Sequence, residues 1–160
     1  MRIRILIVVL LLFWVNGFTQ TVPSPNENYI YSTVYLNESG TKKMETIQYM
    51  DGLGRPKQSI NIKGSAKGQD LIIPIEYDSF GKQVKNYLPL PKASLNGAIQ
   101  PIDGTNVNIY YDGIYNNVPN AYFESVYDDS PLHRLKQSAF PGQQWAKNSG
   151  HSVKPVVHLA

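Results

Sequence analysis

Three histidines, His133, His151 and His158, are the side chains best suited to move protons or hold a metal near neutral pH. Their spacing supports neither use, because no pair stands three to five residues apart with a third ligand close by. The acidic pair Asp128-Asp129 runs into Ser130-Pro131, and those residue types favour a turn over an acid–base centre. There is no serine nucleophile elbow, no glycine-rich loop opening a helix to cradle phosphate, and no pair of carboxylates set in apolar surroundings. The expectation is therefore a protein that is not an enzyme, with no catalytic residue, no metal ligand and no cofactor. The eleven tyrosines offer flat amphipathic rings that suit a sugar face, although cross-strand pairing is the more frequent use of such rings.

Charge narrows the partners. Fifteen Lys and Arg stand against twelve Asp and Glu. Arg2 and Arg4 precede an apolar leader, and without them 13 against 12 leaves a charge of +1. The basic residues are scattered singly except for Lys42-Lys43, so the chain lacks the electrostatic footprint of a nucleic-acid binder. With no cysteine, an exported chain has no disulfide to staple it, and burial and β pairing must hold the fold.

The stretch that organises the chain is a turn at residues 49–56, Tyr-Met-Asp-Gly-Leu-Gly-Arg-Pro. Before it, residues 43–49 alternate, with Met44, Thr46 and Gln48 on one face and Glu45, Ile47 and Tyr49 on the other. After it, residues 58–62 alternate again. Asp51 can bond its own backbone two residues on, Gly52 and Gly54 can take positive φ, and Pro56 fixes φ at the strand entrance. The reading is strand, tight turn, strand. An altered copy follows at residues 76–83, setting Asp78 against Asp51, Phe80 against Leu53, Gly81 against Gly54 and Lys82 against Arg55.

The pattern Tyr-Asp-x-x-Gly-Arg resembles the YD repeat of the rearrangement-hotspot (Rhs) family. Residues 51–58 are similar to the module that precedes the repeats in Rhs proteins of Bacteroidetes-type bacteria. The resemblance covers residues 28–150 and is sharpest at 49–58 and 76–91. Gly81-Lys82 departs from Gly-Arg, which removes the planar group a bidentate contact needs. Within the family, successive hairpins coil into a β-shell around a C-terminal effector or toxin. The resemblance therefore implies a non-catalytic structural module whose partner is the remaining YD-repeat chain. Asp51, Gly52, Gly54, Arg55, Asp78 and Gly81 are its structural turn residues. The alternative is a small secreted surface-binding module, its exposed tyrosines engaging a cell-surface glycan or protein.

In chain order, Arg2 and Arg4 lead into an apolar run from Ile5 to Val15, too short to span a bilayer, with small residues at Gly17 and Thr19. Residues 1–19 read as a signal peptide. That implies export, with no stable membrane span after cleavage, and the resemblance to Rhs proteins of Bacteroidetes-type bacteria implies the surface of, or secretion from, a Gram-negative bacterium. Residues 20–28, with two prolines, read as a flexible linker, residues 29–150 as the β module and residues 151–160 as a divergent tail.

Within the module the expected fold is mainly β: antiparallel hairpins forming an open, YD-repeat-like sheet with long loops. The first hairpin spans residues 29–49, and residues 58–62, 70–77 and 84–91 supply further strands, making four or five. Pro74 suggests an edge or bulge for its strand. Residues 92–105 read as loop, 107–113 as strand-like with a weak echo of the turn, and 120–127, of mixed periodicity, as a short helix or a strand, with strand preferred. Residues 128–137 follow the outline of turn then strand, and 140–145 resemble the aromatic turn that follows it in the family. The sequon Asn37-Glu38-Ser39 reads as loop. Residues 153–159, apolar and β-branched, read as an unpaired edge strand that favours self-association. The divergence of residues 155–160 from the family pattern suggests the 5′ remnant of a longer gene.

Overall fold

In the computed structural model, residues 23–115, 118 and 120–155 are described. The elements in chain order are β1 (Tyr29–Tyr35), β2 (Lys43–Met50), β3 (Pro56–Ile62), β4 (Asp70–Pro74), β5 (Lys85–Tyr87), β6 (Leu90–Lys92), helix α1 (Gly104–Tyr115), β7 (Tyr122–Tyr127), β8 (Leu135–Ala139) and a one-turn 3-10 helix at Gln143–Trp145. The strands form two open antiparallel sheets. Five are ordered β1-β2-β3-β4-β6 and three are ordered β5-β7-β8. The fold is mainly β, as the alternating stretches require.

Alternation decides which face is covered. Ile47 and Tyr49 of β2 pair across the ladder with Ile60 and Gln58 of β3, and Ile60 and Gln58 pair in turn with Ile72 and Pro74 of β4. Ile47, Tyr49, Ile60, Ile62 and Ile72 form one buried cluster, against which Ile99 and Ile102 pack from the loop after β6. Each such aliphatic side chain contributes roughly 1.5–3 kcal/mol through burial. The loop is fastened by polar contacts as well. Gln58 donates from Nε2 to the carbonyl of Gln100 (2.8 Å), and the N–H of Gln100 returns a bond to Gln58 Oε1 (3.1 Å). A second cluster, Tyr87, Leu90, Val107 and Ala121, joins α1 to both sheets, with Ile102 touching both clusters.

Several expectations change in the fold. Residues 107–113 belong to α1, not to a strand. Asp103 and Asn106 each accept from the other's backbone N–H at 3.0 Å, a reciprocal cap three residues apart, and Val107, Tyr110, Tyr111 and Ile114 then recur at helical spacing. The β propensity of Val-Asn-Ile-Tyr-Tyr is overridden by that cap and by the burial of Val107.

The single strand expected over 84–91 is two. Residues 85–87 join the small sheet and 90–92 the large one, because Leu88 bonds across to the carbonyl of Ala121 and Pro89 has no N–H to continue a ladder. Pro74 ends a strand that is internal, not an edge: β4 lies between β3 and β6. Its missing N–H falls on the side where β6 has already stopped, opposite the bonds β4 makes with β3.

At the chain's ends, the signal-peptide reading and residues 20–22 of the linker lie outside the described residues. Residues 23–28 lie against the sheet: Ser24 N–H donates to the Tyr49 hydroxyl (3.1 Å), Ser24 Oγ accepts from Ile99 N–H (3.1 Å), and Glu27 pairs with Lys57 at 2.6 Å. Of the expected edge at 153–159, Val153 forms an antiparallel bridge to Ser138. Residues 156–160, His158 included, lie outside the description.

Candidate functional site: the Tyr-Asp turns

The first turn closes β2 onto β3. Asp51 N–H donates to the Arg55 carbonyl (2.7 Å) and Gly54 N–H to the Asp51 carbonyl (3.0 Å). Asp51 Oδ1 accepts from the N–H groups of Leu53 (2.9 Å) and Arg55 (2.8 Å). The second turn repeats this set. Asp78 N–H donates to Lys82 (2.9 Å), Gly81 N–H to Asp78 (3.0 Å), and Asp78 Oδ1 accepts from Phe80 (2.9 Å) and Lys82 (2.8 Å). Gly54 and Gly81 have φ of +75° and +74°, a region closed to most side chains. Gly52 does not share that positive φ, so only the later glycine of the pair carries the conformational requirement.

Residues 128–134 make a third, longer version. Asp128 N–H bonds the Arg134 carbonyl (2.9 Å), and Asp128 Oδ1 accepts from Arg134 N–H (2.9 Å) and from the Ser130 hydroxyl (2.7 Å). His133 fills the glycine's place, at φ +42°. His133 is thus a turn residue, its ring 5.0 Å from that of Phe80. His151 lies elsewhere, with Nδ1 2.9 Å from the Gln144 carbonyl. Among the described residues, no three His, Asp or Glu side chains converge as metal ligands.

The turns are linked in series, which their sequences do not announce. Arg55 donates from Nε to Asp51 Oδ2 (2.8 Å), and its guanidinium lies 4.3 Å from the ring centre of Tyr77, the residue before Asp78. Tyr77 is held by its own hydroxyl, which donates to the Pro56 carbonyl (2.8 Å). Lys82 Nζ lies 4.4 Å from the ring centre of Tyr127, the residue before Asp128. So the basic residue of one turn covers the tyrosine that opens the next. The Arg55 guanidinium also lies against the backbone of the second turn, where a Cβ at Gly81 would stand 3.3 Å from Nη1. Lys82, a point charge on a flexible stem, stacks without the forked bond that Arg55 makes to its own aspartate. The signal for this pairing was the Tyr-Asp dipeptide at 77–78 and 127–128.

Electrostatics follow the turns. Backbone and side-chain bonds from Arg55 hold the Asp51 carboxyl below the usual carboxylate range, and the Ser130 hydroxyl does the same for Asp128. A hollow of about 350 Å³ lies between the second and third turns, lined by Asp78, Phe80, Lys82, Tyr127, Asp128 and His133. Each turn also raises an apolar tip: Leu53, Phe80 and Leu132 are 78%, 72% and 70% exposed. The arrangement offers hydrogen-bonded corners, stacked cations and apolar knobs, and it brings no nucleophile to a general base.

Two further carboxylates, not anticipated from sequence, fasten the loops and the helix to the sheets. Asp70 is fully buried and accepts from Lys63 N–H (2.9 Å), Ser94 Oγ (2.7 Å) and Leu95 N–H (3.1 Å). Glu76 accepts from Gly104 N–H (2.8 Å) at the start of α1 and from the Tyr87 hydroxyl (2.7 Å). Burial, helped by Glu76, raises the Tyr87 hydroxyl well above the usual phenol range.

No curated protein and no solved structure matches this chain. A family model does match, over residues 21–158, a span that takes in all three turns, and the chain belongs to that family, described as a domain of unknown function, DUF6443.

Proposed function

We propose that this chain is a non-catalytic structural module of an exported Rhs-type, YD-repeat protein, a segment of β-shell whose partner is further YD-repeat chain. The observation that carries the reading is the serial link between turns, in which Arg55 covers Tyr77 and Lys82 covers Tyr127. A motif that stacks on its own next copy suits an extended array better than a single closed site. The apolar tips Leu53, Phe80 and Leu132 would then meet neighbouring layers of the shell. Function here is mechanical, and export places it outside the cytoplasm.

The test is association in trans with a YD-repeat segment. Co-expression should give a stable complex, weakened when Leu132 and Arg134 of the last turn are both replaced by serine. Failure of the pair to co-purify would sink the reading. A second reading, surface binding of a glycan, is favoured by one feature. Tyr111 and Tyr115 stack with rings 9° from parallel beside a groove of about 390 Å³ that also holds Pro89 and Pro91. Micromolar binding to a purified surface polysaccharide, abolished by Tyr115→Ala, would favour that alternative.

A further inference from the structure

β1 is an edge strand unlike the others. Its seven residues, Tyr-Ile-Tyr-Ser-Thr-Val-Tyr, include no charge, no proline and no glycine, and its register with β2 is unbroken. Charge, proline and bulges are the features by which sheet edges are usually protected, and β1 has none of them. The remaining edges are shielded: β5 and β6 have three residues each, β6 with Pro91 at its centre, and β8 carries Lys136 and is bridged by Val153. Among the described residues nothing pairs with the outer side of β1.

The backbone phase of that edge is readable. Met50 N–H bonds the Asn28 carbonyl and Leu36 N–H bonds the Lys42 carbonyl, so the even-numbered residues of β1 face β2. Tyr29, Tyr31, Thr33 and Tyr35 therefore direct N–H and C=O outward. An antiparallel partner satisfies all of them in one register only if its own outward residues fall opposite these four. A second copy of β1 does so when Ser32 lies on a two-fold axis. Tyr29 then opposes Tyr35 of the second copy and Tyr31 opposes Thr33, all as hydrogen-bonded pairs. On the other face Ile30 opposes Val34, and the two serines meet at the axis.

We propose that β1 is the interface between two copies of this chain, paired antiparallel about Ser32 to make a continuous ten-stranded sheet. Two observations select a second copy. The sequence of β1 is self-complementary in the register just given, as an isologous contact requires. The apolar side chains that would be covered are exposed now: Tyr35 by 66%, Ile30 by 54% and Val34 by 52%. β1 itself brings no like charges together. A strand edge covers less than the roughly 800 Å² per partner of a standard interface, so the pairing is expected at about micromolar strength or weaker. It stands independently of the shell reading.

The absence of cysteine makes a direct test available. Ser32 faces its own copy as a non-hydrogen-bonded pair, whose Cα separation of about 4.5 Å falls within disulfide range. Full-length chain carrying Ser32→Cys should form a disulfide-linked dimer under mild oxidation. Val34→Cys should cross-link at least tenfold less, and a mixture of Val34→Cys with Ile30→Cys should recover the linkage. Adding Thr33→Pro, which deletes an outward N–H that the monomer does not use, or Ser32→Lys in place of the cysteine, should leave monomer in sedimentation at about 100 µM with an unchanged circular dichroism spectrum. Equal cross-linking at 32 and 34, as association through another surface would produce, overturns the proposal. So does no cross-linking at all, the outcome if the chain's own segments cover the edge.

Discussion

Gly54 and Asp70 show how single residues hold this fold in opposite ways. At Gly54 the demand is on the backbone alone: φ is +75° and a Cβ would meet nothing within 4 Å. Gly54→Val should lower stability by about 1–3 kcal/mol, the cost of a β-branched residue in a sparsely populated region. A thermal melt unchanged from the parent would contradict that account. Asp70 is a demand on the side chain, since its carboxylate gathers donors from two loops in the absence of solvent. Asp70→Ala should cost about 3 kcal/mol or more, because each buried donor left without an acceptor costs roughly 1–3 kcal/mol. Urea unfolding measures it, and a loss under about 1 kcal/mol would mean that water replaces the carboxylate.

At the scale of elements, α1 is placed by its first residue. Gly104 packs so closely on Tyr87 that a Cβ would stand 2.1 Å from the phenol oxygen, and its N–H reaches Glu76. Gly104→Ala should therefore push Tyr87 off Glu76 and destabilise by about 1–3 kcal/mol, as overpacking does. The readout is a lower denaturation midpoint together with a lowered Tyr87 hydroxyl pKa, since part of its elevation comes from Glu76. A Tyr87 titration unchanged from the parent would show that the helix start adjusts instead. The turns behave similarly as units. Each closes its corner through an aspartate, and the first two reach the next through a cation, so the links Arg55 to Tyr77 and Lys82 to Tyr127 run in series from the large sheet to the small one.

For the whole molecule, three carboxylates set the response to acid. Asp51 is held low chiefly by Arg55, Asp128 by Ser130, and Glu45 by the hydroxyl of Tyr31. Depressed folded-state values mean that the native chain binds fewer protons than the unfolded chain, so stability rises with pH across the carboxylate range. The contribution is complete above the unfolded values, about 4, and disappears as pH falls through the lower folded values. The denaturation midpoint should be flat from about pH 7 to 5 and fall steeply below about 4. Asp51→Asn should be less stable at neutral pH and show a shallower acid limb. An identical acid slope would remove Asp51 from the set.

What the sequence determined by itself is local. Alternation over residues 43–49 and 58–62 set the strands and divided their side chains between two faces, and Asp, Gly and Pro at fixed offsets set the corners, because these depend on a residue and its near neighbours. The turn at 128–134 was legible on the same grounds, whereas 120–127, of mixed periodicity, left helix and strand both open, and pairing with β5 and β8 makes 122–127 a strand. Tertiary structure decided what local preference leaves open. Residues 107–113 have strand propensity yet form a helix, since the Asp103–Asn106 cap and the burial of Val107 outweigh a preference worth less than about 1 kcal/mol. Residues 84–91 divide between two sheets because their partners, β7 and β4, lie far away in the chain. The pairing of each turn's cation with the next turn's tyrosine, and the exposure of β1 as the open edge, likewise depend on which strands become neighbours, a choice made by the whole buried surface and not by any one segment.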